Sequence, residues 1–475
     1  MTINREDILN AYRQFKNFIY HENLQLFSSK IVRFEAEIEK KIKNIIDFIT
    51  SKENNPEWIN EDGYFTIIKD YSISDHGLIF TNVQERWNSI KDTIERVDFR
   101  IISDLSIETH IISILWINKV ALAYESSLSN NCYGTRLYKR NEETERPQIF
   151  TNYLSDYKNW QLNGIKAIKN EFNNKKSIIA ITADINSFYH NVDYSLLKNK
   201  EFYNSINQEI PFSEDMQNLS ERTHYLIDVW SKKVFQELSK HERDRYSLDH
   251  VGLPIGLPLS KVFANLILKE LDDEIIEELS PIYYGRYVDD MFLVIGSNSK
   301  IKNRLEFWKF LQKRMRVKIN DEEKVFLELK HSGSSHFFFN QSKEKFFYLD
   351  YKYGSNLIGD IEKELNKNSS EWRFVPENGE DLESLAEELL TSSSDGTEPA
   401  NSLRKSDGVS IRRLKFAHYL STLEDYVLDH PVEFWKEGIK KITDVVNSII
   451  IEPITISAYI QYLPRFLKLL QFSKH

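Results

Sequence analysis

Cysteine occurs once in 475 residues, at Cys132. That excludes an internal disulfide and every Cys-rich zinc site, and it suits a reducing compartment. Glycine (15 residues) and proline (11 residues) are scarce, which argues against a disordered chain. No stretch reaches the roughly 18 apolar residues of a membrane span. The opening residues, MTINREDILNAYRQF, hold no apolar signal core. A soluble, cytoplasmic protein with no membrane partner is therefore expected. An excess of positive charge is also missing. The formal net charge is -10, so any surface for nucleic acid must be a local basic groove on an acidic body.

What the chain does have is length for two or three domains and a high aromatic content of 13%. Residues 1–125 read as mainly helical; from Phe34 to Ile49, Ile38, Ile42, Ile45, Ile46 and Ile49 recur at helical spacing. Ser177–Ile185 (SIIAITADI) is apolar at nearly every position, as in a buried strand. Residues 356–409 form a connector whose TSSSDGTEPANSLRKSDGV stretch reads as an exposed linker, and 410–475 return to a helical pattern. Within that tail, Arg413 and His418 match the loose Arg-x4-His spacing of a helical RNase family. Residues five apart align poorly on one helix face, and Leu414 replaces the polar residue of that pattern, so a solvated packing helix is expected instead.

The chemistry concentrates in PIYYGRYVDDMFLVIG (Pro281–Gly296), two β-forming runs flanking Asp289 and Asp290. Two like charges about 4 Å apart repel by roughly 4 kcal/mol at an effective dielectric of 20. A cation relieves that repulsion, and hard carboxylate oxygens suit Mg²⁺ together with substrate phosphates. A solvated Asp-Asp turn is equally compatible with this stretch alone. A further carboxylate, Asp184, ends the most apolar strand, where it is costly unless paired or metal-bound. Its bland alternative is a cap on the next turn. Phe188 reads as a core aromatic. Tyr189 is placed to pack under a sugar and exclude a 2′-hydroxyl, and Asp193 reads as a helix N-cap. Gly252–Leu268 (GLPIGLPLSKVFANLIL) reads as a rigid loop feeding a helix, with Gly252 and Gly256 allowing a substrate close to the backbone.

Strand-Asp-x4-Tyr, then LPxGxxxS before a helix, then a Tyr-x-Asp-Asp hairpin, in this order, resembles the palm of reverse transcriptases. The upstream YGTRLYKR (Tyr133–Arg140) is similar to the fingers segment of bacterial members. Asn320 and Lys324 fall where the family has a lysine-bearing segment, and Phe347–Tyr351 where it has its primer-grip hairpin. The resemblance covers about residues 125–355. It implies an α+β, right-hand fingers–palm fold over 126–355, between a helical N-terminal extension and a helical C-terminal domain. It also implies an RNA-directed DNA polymerase. Asp184, Asp289 and the Ile185 carbonyl would hold two Mg²⁺, with Asp290 supporting and counted among the metal-site residues. Lys324 would protonate the leaving group. Asn186, Ser187 and Phe188 would cradle phosphates through their amides. Tyr189 would act as sugar gate, beside Ile255 and Gly256. Arg136, Lys139 or Arg140 would meet the triphosphate. Implied partners are dNTPs, a DNA product and an RNA template or non-coding RNA. A second reverse transcriptase and an oligomer are further expectations.

Two departures narrow the resemblance. Many members have Gln where Ile255 stands, which puts ordinary template handling in doubt. The single cysteine excludes the Cys-bearing endonuclease of group II intron proteins, and the Val-Thr-Gly triplet of retron enzymes is missing. The chain looks more like the abortive-infection and defence-associated (antiphage) reverse transcriptases. Two other functions stay open at this point: an untemplated or protein-primed terminal transferase, and a catalytically idle RNA-binding scaffold.

Overall fold

The computed structural model describes residues 3–20, 27–51, 56–73, 94–138, 148–151, 153–243, 248–297, 301, 303–335, 337–341, 344–352, 420, 423–424, 427, 431–446 and 462–472. The linker within 391–409 and the Arg413/His418 pair lie outside the described residues, as do Lys139 and Arg140. The chain divides into two compact units. One contains Met1–Phe18, Ser28–Tyr64 and Ser103–Leu365; the other contains Ile19–Phe27, Phe65–Ile102 and Asn366–His475.

The first unit is built on a four-stranded antiparallel sheet of order β4-β5-β3-β9. Its strands are β3 (Ile178–Asp184), β4 (Tyr283–Tyr287), β5 (Asp290–Gly296) and β9 (Lys345–Leu349). β3 is apolar at nearly every position because it is central and covered on both faces. One face carries Ala180 and Val294 against Ile165, Ile168 and Phe172 of α5 (Tyr153–Asn173). The other face carries Ile181, Ala183, Met291 and Leu293 over Leu271, Ile275, Phe307 and Leu311. These come from α8 (Lys269–Leu279) and α9 (Arg304–Gln312). Burial of each of the larger side chains contributes about 1.5–3 kcal/mol. A smaller sheet, β6 (Val317–Ile319), β7 (Val325–Leu327) and β8 (Phe337–Phe338), sits at the open end of β3. There Ile185 bridges Phe339.

The stretch from Phe34 to Ile49 is not one helix. α2 (Ser28–Ala36) and α3 (Ile38–Thr50) are separated by a turn at Glu37, and Ile42, Ile45 and Phe48 form the buried stripe of α3. Ahead of them, α1 (Arg5–Tyr20) contributes buried Ile8 and Phe15, and α4 (Ile107–Trp116) is buried at every residue. Two strands, β1 (Gly63–Ile73) and β2 (Ile94–Asp104), pair within the first 125 residues, where a mainly helical reading was expected. The long α6 (Glu214–Glu237) is capped by Ser213, whose side chain accepts from the Met216 amide. The helix fed by the Gly252–Leu268 loop is short: α7 (Pro258–Ile267) ends at Leu268, from which α8 departs.

The second unit contains the greater part of β1 and β2 and, in the C-terminal segment, α10 (Val432–Val445) and α11 (Leu463–Phe472). Trp435, Ile439 and Ile442 of α10 are buried, as are Phe466 and Leu469 of α11. Arg465 Nε donates to Glu424 at 2.9 Å. Among the described residues no helix is long and apolar enough to cross a membrane.

Candidate active site

The sheet register brings the three acidic residues to one end of the molecule's first unit. Asp184 lies directly opposite Asp290, and Asp290 opposite Tyr287. Residues directly opposite share a face of a sheet, so Asp184, Asp290 and Tyr287 project together. Val288 and Asp289 form the two-residue tip between β4 and β5.

Asp289 turns toward Asp184, and the two carboxyls share a hydrogen bond. Burial, then the charge of Asp184, then that of Asp290, push the Asp289 carboxyl up to about 7. Two carboxylates this close cannot both ionise without a neighbouring cation. Asp184 is buried, and its oxygen lies 3.4 Å from the Asn340 amide nitrogen. Asp290 is exposed and faces Tyr157, whose phenol is raised by burial and by Asp290's charge. Among the described residues, no three His, Cys, Asp or Glu side chains converge closely enough to cage a metal by themselves. The donor set is a carboxylate pair with a third carboxylate behind it. That is a set Mg²⁺ accepts, because Mg²⁺ is usually completed by water and substrate phosphates.

The Ile185 carbonyl is directed by its neighbours' backbone bonds. The Asn186 amide donates to Phe338 O at 2.7 Å, and the Asn340 amide to Asp184 O at 2.8 Å. These bonds flank the Ile185–Phe339 bridge, so the backbone groups of Ile185 itself point the other way, toward the hairpin. The same bond engages the Asn186 N–H with the neighbouring strand. That corrects its expected place among the phosphate-binding amides. Asn186 and Ser187 are exposed, Ser187 has a left-handed φ of 48°, and Phe188 is buried against Phe337 at 5.2 Å between centroids.

Tyr189 is half-buried beside the acids; burial, and then the charge of Asp289, raise its phenol, which stays neutral. The glycine-proline loop lies on its backbone. Leu253 N–H donates to Tyr189 O at 2.7 Å and Gly252 N–H to His190 O at 3.0 Å. A Cβ on Gly252 would sit 2.4 Å from Tyr189 O, so no larger residue fits there. Gly256 follows at φ 108°, a conformation that glycine permits. Ile255 is half-buried, and its carbonyl accepts from the Ser103 amide and hydroxyl at 2.9 Å each.

Two expected site residues are engaged elsewhere. Arg136 Nε binds Glu125 at 2.6 Å and its Nη1 binds the carbonyls of Ser129 and Cys132, so its guanidinium braces the loop after α4 instead of reaching toward a triphosphate. Lys324 is exposed on the turn between β6 and β7, with its ammonium 2.6 Å from Glu322. Phe339 N–H donates to Val325 O, which puts that turn one strand beyond the bridge to Ile185. Asp193 is the expected N-cap, accepting from Ser195 N–H at 2.9 Å. β9, at the sheet edge, leaves Phe347 and Tyr348 exposed.

The residues missed in the sequence are those beneath the tip. Arg286 is fully buried and grips Asp272 through Nε (2.7 Å) and Nη2 (2.6 Å). Its Nη1 donates to Asn265 Oδ1 at 3.0 Å and to Val288 O at 2.7 Å. Asn265 in turn donates to Gly134 O at 2.7 Å. Val288 has φ 59°, a costly conformation for a β-branched residue. A Cβ on Gly134 would lie 2.6 Å from Val288 N, so the fingers-side loop and the tip are seated against each other. An arginine inside the aromatic run Tyr283–Tyr287 was the available signal, since a charge in a buried strand demands a partner.

The charge arithmetic predicts a measurable pH effect. Unfolded, Asp289 loses its proton near the ordinary 3.8; folded, it keeps it until about 7. The unfolded state therefore binds fewer protons between those values, and stability falls as pH rises through the window. In metal-free buffer Asp289→Asn should remove this slope and be more stable than wild type at pH 7–8, by a few kcal/mol. Thermal unfolding from pH 4 to pH 8 in chelator, wild type against variant, checks it.

The model described as reverse transcriptase (RNA-dependent DNA polymerase) matches residues 91–353, more than half of the chain. The chain belongs to the reverse transcriptase family, and its fold is the α+β fingers–palm fold of that family. The match begins some 35 residues before the expected boundary and takes in β2 and α4. Among solved structures, apo telomerase from Candida Tropicalis aligns at 11% identity over 92% of this chain and 80% of that one, with a TM-score of 0.32. No curated protein matches.

Proposed function

We propose that this protein is a Mg²⁺-dependent DNA polymerase, RNA-directed or untemplated, that serves bacterial antiphage defence. The observation that carries the polymerase reading is the Asp184–Asp289 carboxyl pair with Asp290 in register behind it. Asp184, Asp289 and the Ile185 carbonyl would hold two Mg²⁺, which when bound supply charge neutralisation at a primer hydroxyl and at departing pyrophosphate.

The chain's own residues do the remainder. Tyr189, neutral and seated on the Gly252–Leu253 backbone, presents a rigid ring against the sugar and disfavours a 2′-hydroxyl. Ser187 turns the chain sharply and is exposed, so a phosphate can approach at Ser187 and not at the engaged Asn186 amide. Ile255 offers packing without hydrogen bonds, so the nucleotide and template are gripped by shape at this point. Arg286 holds the tip carbonyl so that Asp289 keeps its position. Ile255, the single cysteine and the missing Val-Thr-Gly triplet support placement in the antiphage group. RNA, a second reverse transcriptase and an oligomeric assembly are partners consistent with that placement.

Incubating the pure protein with Mg²⁺ and dNTPs, with and without RNase pre-treatment, and sequencing the product tests the reading. RNase-sensitive product of defined sequence indicates RNA copying; RNase-resistant product of biased composition indicates untemplated synthesis. No incorporation under either condition overturns the polymerase reading and leaves the scaffold.

A further inference from the structure

The helix α5 presses on the hairpin face that carries Asp290, Tyr287 and Phe292. The fit has no slack. A Cβ on Gly164 would lie 2.1 Å from the Phe292 ring, and one on Gly285 would lie 2.7 Å from Trp160. Trp160 meets Phe292 edge-on at 6.4 Å and Tyr287 at 6.0 Å. With the helix fixed this way, the residue one turn before Trp160 is projected past the sheet toward the hairpin tip. That residue is Tyr157. It stacks edge-on against Tyr287 at 5.1 Å, with rings at 90°, and lies 5.3 Å from Trp160. The charge of Asp290 reaches the Tyr157 phenol and raises it, after burial. Yet 41% of Tyr157 remains exposed, while Trp160 behind it is buried.

An exposed aromatic face next to three carboxylates suits one kind of ligand. The acids repel phosphate, so a nucleic-acid strand cannot be held here through its backbone without a cation. A base has a π-face and no charge, and stacking on an aromatic ring contributes about 1–3 kcal/mol per base. Tyr157, backed by Trp160 and Tyr287, offers such a shelf on the same face as Asp184 and Asp290.

We propose that Tyr157 is a positioning residue that stacks on the terminal base of the growing strand and holds its 3′ end beside Asp184 and Asp289. This rests on the polymerase reading given above. A tyrosine that merely covers Trp160 and Tyr287 is the structural alternative.

The test uses the full chain and a DNA oligonucleotide with 2-aminopurine at its 3′ end, single-stranded and annealed to RNA. Binding to wild type should quench the fluorophore by stacking. Tyr157→Leu should abolish the quenching and raise the primer KM about 5- to 150-fold, the range that 1–3 kcal/mol converts to. The dNTP KM and the unfolding temperature should stay as in wild type. Tyr157→Phe should behave as wild type, because the ring and not the hydroxyl stacks. The proposal is overturned by absence of quenching in wild type, by unchanged primer binding in Tyr157→Leu, or by equal loss in Tyr157→Phe. A fall in unfolding temperature with parallel losses for primer and dNTP shows the structural role and also overturns it. If wild type binds and quenches the oligonucleotide but incorporates nothing, the polymerase reading fails by itself, and the fluorescence difference between variants still decides Tyr157.

Discussion

Asp289→Ala combined with Asp290→Ala should reduce dNTP incorporation roughly a thousandfold or more, to the level of a heat-inactivated control. The expectation follows from how little else at this site can hold a cation. Asp184 and Asp289 share one hydrogen bond, and Asp290 is the next carboxyl in register. Removing both tip acids leaves Asp184 alone at the end of β3. Asp184→Asn should be as damaging by itself, and the triple variant no worse, because groups that act as a unit are not additive. The fold should survive. The three acids repel one another, so the double variant should unfold in chelator at or above the wild-type temperature. Undiminished synthesis by the purified double variant would sink the assignment of these residues. Loss of synthesis together with loss of the unfolding transition would point to a structural role instead.

Arg286→Met should destabilise the protein by about 3–5 kcal/mol, the cost of leaving a buried carboxylate without its partner. Both members of the Arg286–Asp272 pair have fully buried side chains. Tyr284 also donates to Asp272 at 2.6 Å, but a phenol neutralises no charge. Adding Asp272→Leu should recover most of the stability, since apolar replacement of a whole buried pair is often close to neutral. It should not recover activity. The Val288 carbonyl would still lack the Arg286 Nη1 donor that helps to hold Val288 at φ 59°. Chemical denaturation and dNTP incorporation, measured on the single and double variants, separate the two effects. Parallel recovery of both would show that Arg286 serves stability alone.

Much of this architecture was legible because its signals are local. The Ser177–Ile185 run announced a central strand, and the paired aspartates between β-forming runs announced a hairpin. Asp184 and the Gly252–Leu268 loop gained meaning only from their order relative to that hairpin. What escaped was long-range pairing. Arg136 escaped for a different reason: its partners are close in the chain, but the irregular loop that folds Glu125 and two carbonyls onto its guanidinium carries no periodic signal. The Asn186 amide read as open because its acceptor, Phe338 O, lies about 150 residues away. The break at Leu268 was hidden because α7 and α8 carry one continuous apolar pattern across it. β1 and β2 were missed because their alternation is interrupted by charges such as Lys69 and Arg96.

The central place of β3 also shapes how the chain must be made. Its neighbours, β5 and β9, lie more than a hundred residues further along the chain. At roughly 5–20 residues per second, the ribosome exposes β3 for several seconds before a partner edge exists. During that interval IIAITA is a short apolar segment of high strand propensity, the kind that pairs with other copies of itself. Lys175 and Lys176 precede it and Asp184 closes it. Charges at both ends of such a segment discourage self-association. Asp184 therefore guards the nascent strand before the sheet exists, and neutral variants at this position should yield less soluble protein even where the folded state is unharmed.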